Sequence, residues 1–313
     1  MLAVVTGVAG FIGSTLAERL LADGWDVRGI DCFTPYYDES QKKANVATAV
    51  ASERFELVDA DLRTADADAL LDGAHVVFHQ AGQPGVRLSW SDGFADYVGH
   101  NVLATQRLLE AAKAGRVGRF VYASSSSVYG NAARYPTTED DLPRPHSPYG
   151  VTKLAAEHLC GLYAANWGVP TVSLRYFTVY GPRQRPDMAF HRLCESAING
   201  TPFPLYGDGS AVREFTFVDD VVAANVAAAR ADVAPGTVVN VAGIEETKVR
   251  DVIELVGELA GGPVPLDEQP PAPGDVARTG GSIERATALL GWAPRTPLRD
   301  GLAAQLAWHR ARS

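Results

Sequence analysis

Four consecutive serines, Ser124 to Ser127, and a tyrosine–lysine pair, Tyr149 and Lys153, are the residues of this chain best suited to chemistry. Tyr149 and Lys153 are four residues apart, so on a helix they share a face. An ammonium beside a phenol favours phenolate and lowers its pKa. Phenolate near neutral pH is a usable general base. Taken singly, a serine run is usually a solvated loop, and a Tyr/Lys pair at this spacing is common by chance. Their setting joins them.

The apolar run Phe120-Val121-Tyr122-Ala123 reads as a short buried strand that delivers the serines at its C-terminal end. Open α/β sheets bind ligands at that end. Val128-Tyr129-Gly130 and a polar, proline-rich loop follow. Ser147 can cap free N–H groups and Pro148 suits a first helical turn, which predicts a helix carrying Tyr149 and Lys153 to about Trp167.

A base needs something to work with, and the N-terminus supplies it. Leu2 to Thr6 reads as a buried strand, followed by Gly7, Gly10 and Gly13 around Phe11 and Ile12, then by an amphipathic helix to about Ala22. Three glycines so spaced between strand and helix permit a tight turn, close approach to a pyrophosphate and close helix–strand packing. A second strand, Asp26 to Ile30, ends in Asp31, whose carboxylate can hold the adenosine ribose and repel a 2′-phosphate. The expected cofactor is therefore NAD, with Arg28 facing elsewhere.

Strand-like and helix-like segments keep alternating: Phe55 to Val58 before Asp59-Ala60-Asp61-Leu62, His75 to His79 before Gln80-Ala81-Gly82, a long helix near 95 to 114 carrying Asn101, and a strand from Thr171 to Tyr176. This is the logic of an α/β fold, a Rossmann-type doubly wound parallel sheet. From residue 181 Gly, Pro and Arg become frequent, as in Pro182 to Met188, Thr201 to Leu205 and Pro263 to Pro273. The expected organisation is a nucleotide domain over 1–180 and a smaller, mainly substrate-binding lobe over 181–313. Core-like segments within 213–242 (Val218 to Arg230 and Val238 to Ala242) return to the sheet, so the boundary is not a clean linker.

The 313 residues are 46% apolar, ample for a large core, and the net charge of −9 argues against nucleic acid as a partner. Cys32, Cys160 and Cys194 are scattered and give neither a disulfide framework nor a metal spacing. The seven histidines form no zinc motif, so no metal is expected, and His75 and His79 read as structural. No apolar run approaches the roughly 20 residues that span a membrane. Met1 leads straight into a strand, so no signal peptide is expected, and the scattered cysteines make a reduced, cytoplasmic protein the expected setting.

The glycine loop, Tyr149-x-x-x-Lys153, Val128-Tyr129-Gly130 and the run Arg213-Glu214-Phe215-Thr216-Phe217-Val218-Asp219-Asp220 together resemble the extended short-chain dehydrogenase/reductases acting on nucleotide sugars. Ser124 to Gly130 and Thr178 to Phe190 look most like UDP-glucuronate 4-epimerases. The resemblance implies that Tyr149 is the base, Lys153 its pKa partner and a ligand of the nicotinamide ribose, and Ser125 the hydroxyl that bonds the sugar 4-hydroxyl. Gly7, Gly10, Phe11, Ile12, Gly13, Asp31, Asp61, Leu62, Gln80, Ala81, Gly82, Asn101 and Tyr176 match cofactor positions.

On the substrate side, Arg87, Arg185, Arg213 and Arg278 match positions near the diphosphate and sugar, and Arg192 lies in the same segment as Arg183 and Arg185. Ser126, Ser127 and Thr178 would hold the sugar carboxylate with neutral donors. Related dehydratases carry an Asp-Glu pair in place of Ser126-Ser127, and decarboxylases typically a Glu there. Hexose 4-epimerases usually carry Asn in place of Thr178. The expected reaction interconverts UDP-glucuronate and UDP-galacturonate; a UDP-glucose 4-epimerase, a UDP-glucuronate decarboxylase and a non-catalytic NAD(H) sensor are the other readings. Family members are often homodimers through a helical bundle, with the helices near 95–114 and 149–167 as candidates.

Overall fold

A computed structural model of the chain describes residues 1–114, 117–270 and 277–312. The end of the proline-rich stretch, Pro271 to Pro273, lies outside these residues. The first strands are β1 (Leu2–Thr6), β2 (Asp26–Asp31), β3 (Phe55–Asp59), β4 (Val76–His79), β5 (Arg119–Ser125) and β6 (Thr171–Tyr176). With the later strand Thr237–Val241 they form one seven-stranded parallel sheet. Its order is Thr237–Val241, β6, β5, β4, β1, β2, β3. The order reverses between β1 and β4, which opens a crevice at the C-terminal ends of these strands.

β1, β4, β5 and β6 are almost wholly buried, as their continuous apolar runs require when helices cover both faces of a sheet. Helix α1 (Phe11–Ala22) packs on one face beside the helix Val218–Arg230. The other face carries α5 (Ala104–Ala112) and α6 (Pro148–Trp167). Between β3 and α5 run the short helices α3 (Ala67–Leu71) and α4 (Phe94–Tyr97), and α2 (Glu39–Val50) precedes β3.

One feature departs from the expected uniform helix near 95 to 114. A π-helical segment, Val98–Leu103, separates α4 from α5. Such wide turns collect at functional sites, and Asn101 sits inside this one.

Two later segments meet the sheet. The strand Thr237–Val241 lies beside β6, and the helix Val218–Arg230 contacts β5 and β6. A single core cluster joins Ala3 and Val5 to Val221, Val241 and Leu302. The remaining C-terminal residues form small strand pairs: Val179–Tyr180 with Thr216–Phe217, Val212–Glu214 with Glu246–Lys248, and Phe203–Tyr206 with Leu266–Gln269. They are covered by the helices Ala189–Asn199, Val249–Ala260 and Leu298–Arg310. Among the described residues no helix is long and apolar enough to cross a membrane.

Candidate active site

The glycine loop is shaped by contact. Gly7 has φ +67°, and a Cβ on Gly13 would lie 2.2 Å from the Gly7 carbonyl oxygen. Only a side chain of hydrogen lets α1 start this close to the β1 turn. The free N–H groups of α1 therefore face the crevice, where a pyrophosphate fits. Asp31 closes the cradle: its Oδ2 accepts from Ala9 N at 3.0 Å and its Oδ1 from Phe33 N at 2.9 Å. Arg28 faces elsewhere, donating to Glu56 and to the carbonyls of Leu70 and Asp72.

One cavity runs along these strand ends. Gly7, Gly10, Phe11, Ile12, Gly13, Asp31, Leu62, Gln80, Ala81, Gly82, Tyr149, Lys153 and Tyr176, all expected to meet a cofactor, line it. Two expected residues stand outside the lining. The Asp61 carboxylate is clasped by Arg63, at 2.7 Å from Nη2, which holds it below the usual carboxylate range. Asn101 lies behind the cavity wall: its Oδ1 accepts from Gln83 N at 2.7 Å and its amide donates to Gln83 O and Thr152. It shapes the loop after β4 rather than facing the cavity.

His79 is structural, as its strand position suggested. Thr105 Oγ1 donates to Asn101 O and so accepts from His79 Nε2 at 2.9 Å, which leaves Nδ1 to accept from Thr6 at 2.7 Å. Thr6 Oγ1 in turn accepts from Ala81 N. This chain of bonds fixes the loop Gln80–Gly82 against β1. Complete burial lowers the imidazole pKa to about 3 and keeps it neutral.

The catalytic candidates meet at the ends of β5 and α6. The Ser147 hydroxyl accepts from Gly150 N at 3.1 Å and Pro148 occupies the first turn, as the cap pattern required. Gly150 is pressed on the serine turn, since a Cβ there would come 2.6 Å from Ser127 O. The Ser125 hydroxyl accepts from Ser127 N at 3.1 Å and neighbours the Tyr149 phenol, whose rise it opposes. Ser126 and Ser127 form a single 3-10 turn with Val128.

Lys153 is hydrogen-bonded to the backbone rather than to the Tyr149 phenol. Burial pushes the Tyr149 phenol up, and the groups opposing this are Ser125 and Arg185. Lys153 Nζ instead donates to Ala123 O at 2.7 Å and lies over the Tyr122 ring. Burial lowers the Lys153 pKa to about 8.

The arginines are not equivalent. Arg185 lines the cavity, held by Asp187 at 2.9 Å. Arg183 turns away to Glu18 on α1. Arg87 lies over the Tyr206 ring, joining the loop after β4 to the C-terminal lobe. Arg213 donates to the Val212 and Ala277 carbonyls, and Arg278 pairs with Glu246 at 2.6 Å while covering the Tyr135 ring. Arg192 is half-buried on the helix Ala189–Asn199, away from the cavity lining. Thr178 is the one exposed residue between Thr171 and Tyr180.

Other cavity residues were missed from sequence. Tyr36, Tyr37, Lys42, Gln83 and His100 all line it. The Tyr-Tyr pair just after Asp31 was the available signal. Lys42 Nζ is anchored on Thr34, 2.7 Å from its carbonyl.

The chain resembles known proteins over its whole length. It is 42% identical to a UDP-glucose epimerase of Bacillus subtilis (strain 168), itself uncharacterised, across 97% of this chain and 96% of that one. A probable UDP-glucuronate 4-epimerase of Rhizobium meliloti (strain 1021) is 36% identical, across 98% and 96%. The UDP-glucuronic acid 4-epimerase of Bacillus cereus, solved with UDP-glucuronic acid and NAD, superposes with a TM-score of 0.96 at 41% identity, covering all of both chains. The family model of NAD dependent epimerases and dehydratases matches residues 3–242, from β1 through the last strand of the sheet. The glycine cradle, Asp31 and the Ser125–Tyr149–Lys153 group thus belong to a chain of the NAD dependent epimerase/dehydratase family.

Proposed function

We propose that this chain is a UDP-sugar 4-epimerase that interconverts UDP-glucuronate and UDP-galacturonate. The feature that carries the reading is Tyr149 in the wall of the NAD-type cradle, with Ser125 as its hydroxyl neighbour, next to a serine turn without a carboxylate. Gly7, Gly10, Gly13 and Asp31 would hold the dinucleotide, and Lys153 its nicotinamide ribose. NAD⁺, when bound, supplies a reversible hydride acceptor for C4 of the sugar.

Tyr149 takes the O4 proton, assisted by Ser125, and returns it after the transient 4-keto sugar has turned in the cleft. A phenol raised by burial is a poor base until positive charge lies beside it; Arg185, which opposes the rise, and Lys153, in the same cavity wall, would provide it. The 4-keto acid is a β-keto acid and loses CO₂ if its carboxylate bond aligns with the carbonyl π system. Ser126, Ser127 and Thr178 would hold the carboxylate out of alignment with neutral donors. Arg185 fits the substrate's negative charge by its place in the cavity wall.

A UDP-glucose substrate is the second reading, favoured by the name of the Bacillus subtilis relative. Purified protein incubated with UDP-glucuronate and no added NAD, followed by NMR, decides. UDP-galacturonate supports the proposal. A UDP-pentose with CO₂ overturns the carboxylate assignment, and turnover of UDP-glucose alone moves the substrate to a neutral sugar. A cytoplasmic homodimer completes the reading. Phe94, Val98 and Leu103 on the first helical stretch and Val151 and Leu162 on α6 are exposed apolar residues that support pairing there. Sedimentation at the monomer mass would exclude it.

A further inference from the structure

His191 and Glu195 lie one turn apart on the helix Ala189–Asn199, and His309 comes from the C-terminal helix Leu298–Arg310. Neither pattern is visible in the sequence, because the histidines are far apart along the chain. In the fold their rings meet nearly edge to face, with centroids 4.5 Å apart. One ligand atom from each of the three side chains falls within 4.8 Å of the other two. Both histidines are 5% exposed, whereas the Glu195 side chain is 52% exposed. The cluster is therefore buried on its imidazole side and reachable from solvent on its carboxylate side.

The protonation of His191 follows from its partners. His191 Nδ1 lies 2.6 Å from Gln184 O, and a carbonyl can only accept, so Nδ1 carries the hydrogen. In the neutral ring Nε2 is then a lone pair. It faces Glu195 Oε1, also an acceptor, at 3.1 Å. Two acceptors at that distance require a positive particle, either a proton or a metal ion.

The surroundings resemble the support of a metal ligand. An Nδ1–H donated to a backbone carbonyl fixes the ring and leaves Nε2 for a metal. Gln184 is itself held: its Oε1 accepts from His191 N at 2.8 Å and from Gln305 Nε2 at 3.0 Å. Gln305 Oε1 accepts from Gly181 N at 2.9 Å. The helix of His191, the C-terminal helix and the loop from Gly181 to Arg185 are thus joined around the cluster.

We propose that His191, Glu195 and His309 form a divalent transition-metal site of the zinc class, with water completing the coordination. Two imidazoles and one carboxylate select zinc-like ions over magnesium or calcium. Tetrahedral zinc at about 2.0–2.1 Å from each ligand needs donors roughly 3.3 Å apart. Glu195 Oε1 and His191 Nε2 already lie 3.1 Å apart, so the closure falls on the pairs that include His309, which stand within 4.8 Å. The ion would pin the C-terminal helix against the segment that presents Arg185 to the cavity. The site lies apart from the cofactor cavity and stands whichever sugar the enzyme takes.

The test uses tag-free, NAD-loaded protein stripped of metal with a chelator. Titration with Co²⁺ should give visible ligand-field bands that one equivalent of Zn²⁺ abolishes. Zn²⁺ should also raise the thermal midpoint. Glu195→Gln changes a solvent-exposed residue and should keep the fold by circular dichroism; it and His309→Gln should each weaken Zn²⁺ binding about 10-fold or more. Absence of cobalt bands and of a zinc-dependent thermal shift in the wild type would assign the positive particle as a proton and overturn the proposal. Equal zinc affinity in wild type and both variants would place the ion elsewhere and overturn it too.

Discussion

Glu157 Oε1 lies 2.6 Å from Arg175 Nη2, and both side chains are 5% exposed. The pair adjoins the strand end that carries the candidate catalytic serine. Glu157 Oε2 accepts from the Ser124 hydroxyl at 2.6 Å, one residue before Ser125. Arg175 Nη1 donates to Tyr129 Oη at 2.7 Å, and Tyr129 donates to Asn240 on the returning strand. Removing one partner strands the other charge in the core. Glu157→Ala should therefore cost about 3–5 kcal/mol in urea unfolding, and the double change Glu157→Leu with Arg175→Met should recover much of it. A loss under about 1 kcal/mol in the single variant would show that water or another group replaces the carboxylate.

The proton path predicts two different defects. Tyr149→Phe should lower turnover by about 10²–10⁴-fold while NAD stays bound, because only the transferring group is removed. Ser125→Ala should also lower kcat, and Ser125→Thr should restore most of it, since the hydroxyl that neighbours Tyr149 and accepts from Ser127 N returns. Steady-state kinetics on the three variants checks this; full turnover in the phenylalanine variant would remove Tyr149 from the mechanism.

Gly13 tests the cradle. An alanine methyl would meet the Gly7 carbonyl at 2.2 Å, so α1 must move away from the β1 turn. Gly13→Ala should purify without NAD and melt lower than wild type. Wild-type NAD content, read from the absorbance of the released cofactor, would show that the loop yields without cost.

The parts of this site that sequence made legible are those whose signal is local. The glycine spacing, the Ser147-Pro148 cap and the serines after β5 each depend on neighbours within one turn, and each sits where its pattern placed it. Contacts between distant residues were hidden. Nothing in the order of residues pairs Glu157 with Arg175 or seats Arg87 on Tyr206. The bond from Lys153 to the Ala123 carbonyl was hidden for the same reason. The π-helical segment at Asn101 was not legible in the sequence either.

Acid should loosen the fold through His79. Its pKa is near 3 in the folded chain and about 6.5 when unfolded. Between these values the unfolded chain binds more protons, so stability falls as pH drops through that window and is level above it. The urea midpoint should fall between about pH 7 and pH 4, and the fall should be shallower in His79→Gln. Parallel curves for the two proteins would mean that other groups control the acid limb.

The strand Thr237–Val241 adds its hydrogen bonds to β6 only after the whole segment between them has been made. During synthesis β6 must therefore wait as an open edge, with backbone donors and acceptors unmatched. The cofactor half cannot be cut free at residue 180, although its glycine loop, Tyr149 and Lys153 all lie before that point. On the ribosome the seven-stranded sheet is complete only once residue 241 has emerged, so its last edge waits on a segment made about sixty residues after β6.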